Sequence, residues 1–152
     1  MCIRNCRIDV YDIEVFPNVF HCCIKNTETE EINKFEISER KNQLDELVLY
    51  FTNKDAKIIC GYNNHHYDDV IINYMIDYHS KLIRLPYWTI CKSLFNLSQT
   101  IVTAEDGNVD KFKKWKYAHY FYSIDLLTMQ FSSKLRVGLK ELQLTMHYKN
   151  VQ

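Results

Sequence analysis

From Val10 to Asn18 the chain reads VYDIEVFPN, and apolar and acidic residues alternate in it with a period of two. In a β-strand residues i and i+2 share a face, so Tyr11, Ile13 and Val15 point into a core while Asp12 and Glu14 stand side by side on the other face. Neighbouring carboxylates repel each other, and burying them unpaired is costly. That face must open to water or hold a positive charge between the two acids.

The surrounding patterns place this strand in an order of elements. CRIDVYDIEV runs into the turn signal Pro17-Asn18, and VFHCCIKN returns as the second strand of a hairpin. EEINKFEI fits a third, edge-like strand. Ser38 is then placed to cap a helix, although Lys41 stands where a capping box wants Glu. Within that helix Leu44, Leu47, Val48 and Phe51 recur at i, i+3, i+4 and i+7 as one apolar stripe. AKIICGYN has no alternation, as expected of a short strand covered on both faces. HHYDDVIINYMIDYH follows as a helix with Val70, Ile71, Tyr74, Met75 and Tyr78 on one face. From 80 to 116 the pattern is weak and reads as a loop-rich insertion containing AEDGN and the basic run KFKKWK. YAHYFYSIDLL reads as a strand and GLKELQLTMHY as a helix through Leu139, Leu142 and Met146. An antiparallel meander followed by alternating helix and strand is an α/β arrangement. It predicts a mixed five-stranded sheet, three antiparallel strands and then parallel ones, flanked by helices, in the element order of the ribonuclease-H-like fold.

Composition narrows the functional classes. A chain of 152 residues, 47% of them apolar, can bury one full core, so a single domain over 1–152 is expected. The formal net charge of zero supplies no overall basic field toward nucleic acid or an anionic membrane. No apolar run approaches the roughly 18 residues of a membrane span. MCIRNCRIDV lacks the apolar core of a secretory signal, which points to the cytoplasm and away from any membrane. Cys2, Cys6, Cys22, Cys23, Cys60 and Cys91 form no C-x-x-C pair and precede no histidine pair at zinc-finger spacing, so they read as reduced thiols.

The stretch GYNNHHYDD leaves the buried strand and opens the next helix. Ligands of open α/β sheets bind at the carboxyl ends of strands, so this loop belongs where a site would be. Asp68 and Asp69 fall in the first helical turn, where the helix dipole favours negative charge, and either could serve there as a simple helix cap. Successive helical residues lie about 100° apart, so one site cannot easily use both.

With Asp12-Ile13-Glu14 on the first strand, and Tyr62-Asn63 followed after three residues by Tyr67-Asp68, the chain resembles the DEDD family of 3′–5′ exonucleases. The likeness is closest to the proofreading domains of phage and family B-like DNA polymerases. It extends through YSIDLL and VGLKELQLTM, and so over nearly the whole chain. The resemblance implies two Mg²⁺ or Mn²⁺ ions, with Asp12 bridging them and Glu14 and Asp68 each holding one. It implies that Ile13, Phe16, Asn63, Asn64 and Tyr67 hold the terminal nucleotide by hydrogen bonds and stacking. The substrate would be the 3′ end of single-stranded DNA, with an RNA end as the alternative, and a polymerase domain in a full-length chain would be the partner.

His65 and His66 occupy variable positions and read as exposed loop residues. The run 111–116 reads equally as a solvated loop or as a contact for a single strand. Asp125 reads as a structural residue near the site. The family's third motif, Tyr-x-x-x-Asp or His-x-x-x-x-Asp on a late helix, is absent before Gln152, since Tyr120 to Asp125 has the wrong spacing. A domain cut short before that motif is expected, with weak or no activity in these 152 residues. A degenerate nuclease-like domain that binds nucleic acid or a protein without cutting is the alternative.

Overall fold

Alternation in the first strand carries through to the structure, a computed structural model that describes residues 6–53, 57–104, 110–130 and 138–146. In β1 (Arg7–Val15) Asp9, Tyr11 and Ile13 are buried while Ile8, Val10, Asp12 and Glu14 are exposed. β2 (Phe20–Asn26) runs back beside it and turns Phe20, Cys22, Ile24 and Asn26 inward. The register sets Tyr11 against Ile24, Ile13 against Cys22 and Glu14 against His21, so the inward residues of both strands share one face. β3 (Ile32–Ile37) pairs antiparallel with β2 and forms the edge. On the other side β4 (Lys57–Gly61) and β5 (Ser123–Asp125) add in parallel, giving the order β3-β2-β1-β4-β5. The result is an α/β fold with a five-stranded mixed sheet flanked by helices.

Helix α1 (Leu44–Thr52) buries Leu44, Leu47, Val48 and Phe51, the stripe expected from the spacing. The Phe51 ring meets Tyr11 of β1 edge-on at 5.5 Å. α2 (Asp68–Asp77) is buried on most sides, through Val70, Ile71, Ile72 and Met75. After the single turn α3 (His79–Leu82) comes α4 (Tyr87–Thr103), which starts just after Pro86. It buries Ile90, Cys91, Leu94 and Leu97, and the Cys91 thiol donates to the Ile37 carbonyl at 3.3 Å. Short helices α5 (Lys113–Lys116), α6 (Leu126–Gln130) and α7 (Leu139–Thr145) complete the described elements. Among the described residues no helix is long and apolar enough to cross a membrane.

Three expectations are corrected. The loop-rich insertion over 80–116 is mostly helical, because α4 spans 17 residues of it. Ser38 caps no helix: its hydroxyl donates to Glu36 and accepts the Arg40 N–H at 3.0 Å, closing a turn five residues before α1. The strand read from 117 to 127 shrinks to β5, and α6 starts directly after it. The helix expected through Leu139, Leu142 and Met146 is present as α7, with Leu139 48% and Met146 70% exposed. Cys22, Cys60 and Cys91 are buried free thiols, as their reading as reduced thiols expects, whereas Cys23 is exposed. Cys2 and most of AEDGN lie outside the described residues.

The core status of α4 is open to a direct check. Leu94 is fully buried, so Leu94→Ala should lower stability by about 2–5 kcal/mol. Leu49→Ala, on the exposed side of α1, should stay within about 0.5 kcal/mol of the wild type. Urea midpoints of both variants decide it; equal midpoints would mean that α4 does not pack on the sheet.

Candidate functional site

β1 and β4 are parallel neighbours, with Val10 opposite Cys60, so the loop leaving β4 emerges beside residues 11–14 of β1. That loop is held tightly. Asn63 adopts a left-handed conformation with φ of 60°, which Asn tolerates better than most residues. Its N–H donates to Asp125 Oδ1 at 2.8 Å, and the His65 N–H donates to Asp125 Oδ2 at 3.3 Å. Asp125 is fully buried and also accepts the Leu127 N–H at 2.9 Å, so it clamps the loop to the end of β5. At Gly61 an added Cβ would lie 2.8 Å from the Cβ and Cγ of Asn64, so only glycine lets this buried side chain approach.

The two aspartates opening α2 have different surroundings. Asp69 is buried and accepts the Tyr11 hydroxyl at Oδ1, where the Asn64 amide also donates at 3.1 Å. His65 Nε2 stands 3.7 Å from its other oxygen. Asp68, 8% exposed, comes under the influence of Asp12 rather than Tyr11, and its carboxyl is raised from the ordinary 3.8 to about 7. Burial is the main cause and the charge of Asp12 the next, partly offset by the N–H groups of Asp68 and Ile13. The Ile13 N–H also favours the ionised form of Asp12, so that one donor is shared between the two carboxyls. Asp12 is itself raised, by lost hydration first and by Glu14 second. The Tyr67 phenol, bonded to Ser98 Oγ at 2.6 Å, is raised by burial and then by Asp68, Glu14 and Asp12. The acids Asp12, Glu14 and Asp68 therefore share one electrostatic neighbourhood at the carboxyl ends of β1 and β4. Among the described residues no three carboxylates, imidazoles or thiols are gathered closely enough to grip an ion as they stand.

The expected nucleotide contacts divide. Phe16 is 50% exposed at the hairpin turn and Asn63 is exposed on the loop, so both side chains are accessible beside the acids. Ile13 and Asn64 are corrected. Ile13 is 6% exposed and belongs to the core, because the alternation that exposes Asp12 and Glu14 must bury the residue between them. Asn64 is fully buried, donating to Asp69 and, at 2.7 Å, to Ser123 Oγ. His65 is half-buried, not fully exposed. Within the basic run, Lys114 pairs with Asp77 at 2.6 Å and Trp115 donates to the same carboxylate at 3.1 Å. Trp115 also meets the rings of Tyr74 and Tyr78 edge-on, so it braces α2.

Sequence reasoning missed Asp9. It is fully buried at the opposite end of β1, with two bonds from Arg7 at 3.1 and 2.9 Å and one from the Tyr50 hydroxyl at 2.7 Å. Its only signal was an acid at i−2 from Tyr11, on the core face of the same strand. Comparison with family models, curated proteins and solved structures finds no match to this chain.

The contrast between the adjacent aspartates yields a stability test in EDTA. The folded state holds the Asp68 proton more tightly than the unfolded chain does, so this group's contribution to stability is greatest below about pH 4 and is lost as pH rises through about 7. Asp68→Asn should flatten that dependence and raise the urea midpoint at pH 8. Asp69→Ala should lower stability by about 1–3 kcal/mol at any pH, by stranding the buried Tyr11 hydroxyl. A wild-type profile that climbs from pH 4 to 7 would contradict the environment assigned to Asp68.

Proposed function

We propose that this chain is a ribonuclease-H-like domain of the DEDD exonuclease type, acting with divalent cations on the 3′ ends of single-stranded DNA. What supports the reading is that Glu14 raises the carboxyl of Asp12 near the end of β1, and Asp12 raises that of Asp68 in the first turn of α2. Carboxyls that raise one another are relieved either by holding a proton or by a bound cation, and such groups cluster at functional sites. The strand order β3-β2-β1-β4-β5, antiparallel through the first three, supports the fold assignment.

The donor set is all oxygen, which suits Mg²⁺ or Mn²⁺ and disfavours softer metals. Asp12, Glu14 and Asp68 would be the residues that hold the ions. Asp12 and Glu14 lie on the exposed face and have room to turn toward one ion; Asp68 is fixed by burial. A bound pair of such ions supplies an acidified water and neutralises the charge of the leaving oxygen. The protein's own residues do the remaining work. Phe16 offers a ring to the terminal base, Asn63 offers amide hydrogen bonds, and Tyr67, held by Ser98, borders the acids. Asp69 stays out of the ligand set because Tyr11 and Asn64 already occupy it. A polymerase domain in the full-length protein is the partner this reading implies.

Titration with Mn²⁺ followed by calorimetry should show binding that Asp12→Asn and Asp68→Asn each weaken by at least roughly tenfold, while Asn63→Ala preserves it. Cleavage of a 3′-labelled single-stranded DNA should fall by about 10²-fold or more in the same two variants. An RNA end cleaved in preference to DNA would move the substrate to RNA. Mn²⁺ binding indifferent to both acids would end the proposal.

A further inference from the structure

From 78 to 104 the chain has no Asp or Glu but carries Lys81, Arg84 and Lys92, although the whole chain is neutral. The last acid before this stretch, Asp77, is already taken by Lys114 at 2.6 Å and Trp115 at 3.1 Å. Asp45 of α1 is taken by His79 at 2.5 Å. Lys81 lies over the Tyr78 ring at 4.9 Å, whereas Arg84 and Lys92 make no ion pair among the described residues. On α4 the exposed residues Trp88, Lys92, Asn96 and Gln99 recur at i, i+4, i+8 and i+11, which aligns them in one stripe. Trp88 is 58% exposed, and among the described residues its ring meets only that of Tyr87, edge-on at 5.3 Å. An indole kept in water beside a cation is free to take a flat partner. The same helix borders the acids further along, where Ser98 bonds the Tyr67 phenol at 2.6 Å. Trp88 precedes Ser98 by ten residues, about 15 Å along the helix axis.

We propose that the outer stripe of α4, with Trp88, Lys92 and the preceding Arg84, holds single-stranded DNA at a distance from the acids Asp12, Glu14 and Asp68. The proposal takes its ligand from the nuclease reading, but the hold itself needs no metal ion. A chain with equal numbers of acids and bases attracts a polyanion only where cations locally outnumber acids, and this acid-free stretch is such a place. The exposed indole narrows the choice. An acidic peptide would satisfy Arg84 and Lys92 but give Trp88 no ring to stack on. A duplex brings phosphates too, yet keeps its bases stacked on each other. A single strand uses both features, with a base on Trp88 and phosphates on the two cations. Asn96 and Gln99 continue the stripe with amides that can donate to phosphate or base. A spacing of about 15 Å between the levels of Trp88 and Ser98 puts the hold several nucleotides from a 3′ end at the acids.

The test titrates the whole chain in EDTA into a labelled twelve-residue oligothymidylate and follows fluorescence anisotropy. Without metal ions the three acids can only repel the strand, so saturable binding must come from elsewhere. Trp88→Ala should weaken it roughly tenfold, through the lost base stacking. Lys92→Gln should weaken it roughly threefold and lower the slope of log affinity against log salt by about 0.7. Both side chains are exposed, so unchanged urea midpoints should show that the two variants fold. Asp68→Asn should not weaken the oligonucleotide in EDTA. Absence of Mn²⁺ binding or cleavage, with this hold retained, would therefore overturn only the nuclease reading. No saturable binding, or affinity indifferent to both Trp88→Ala and Lys92→Gln, overturns the proposal. A poly-glutamate peptide or a duplex of the same length bound as tightly also overturns it, the first by marking a surface for acidic proteins. An oligouridylate bound tenfold more tightly would reassign the surface to RNA.

Discussion

The buried carboxylate of Asp69 accepts the Tyr11 hydroxyl and the Asn64 amide at one oxygen, and the same amide donates to Ser123. These few bonds join the central strand, the start of α2, the loop after β4 and the start of β5. In a low-dielectric interior such a network is strong when its members are satisfied and costly when one is lost. It also explains why glycine is required at 61, since the Asn64 side chain occupies the space a Cβ would need. Asp125 clamps the same loop from its other side, through the N–H groups of Asn63 and His65. Asp68 follows from the same helical start without belonging to this network: its carboxyl is influenced by Asp12 and by the Ile13 N–H.

Much of this arrangement was legible where one periodicity dominated. The alternation over Tyr11–Glu14 and the stripe Leu44, Leu47, Val48 and Phe51 match the observed burial residue by residue. Helix α4 was not legible, because its buried face includes Cys91 and Ser98 while Trp88 and Val102 stand exposed at 58% and 67%. The apolar contrast around that helix is therefore blurred, and periodicity fades although the helix is the longest described. Ser38 shows a second kind of failure. Its hydroxyl has the chemistry of a cap, but local bonds to Glu36 and Arg40 use it up before the helix begins.

Around the acids, the sequence said less about which neighbours would be accessible. Asp12, Glu14 and Asp68 are typed by pattern and loop position, and in the structure Asp12 comes under the influence of Glu14 and Asp68 under that of Asp12. The flanking residues depend on orientation, which a motif does not encode. Asn64 and Asn63 are chemically identical neighbours, yet a left-handed turn at 63 exposes one while 64 is fully buried. The basic run shows the same limit, since Lys114 and Trp115 are drawn to Asp77, a residue 37 and 38 positions away.

The acidic pair on β1 also accounts for how the sheet is covered. Helix α1 meets the inner face through Phe51, α2 through Asp69, and α4 reaches the edge strand at Ile37. The outer face of β1 carries Ile8 and Val10, 41% and 40% exposed, and then Asp12 and Glu14. Glu14 stands opposite His21, which lies 3.5 Å from Glu36 of β3, so that end of the face is a row of ionisable groups. A helix packed across the whole outer face would have to desolvate Asp12 and Glu14 together, which neither could survive in its charged form without a partner. Cover over Ile8 and Val10 is compatible with the fold, but cover over the acidic end is not. The two carboxylates thus keep one end of the sheet open, and the open end is the one beside Asp68.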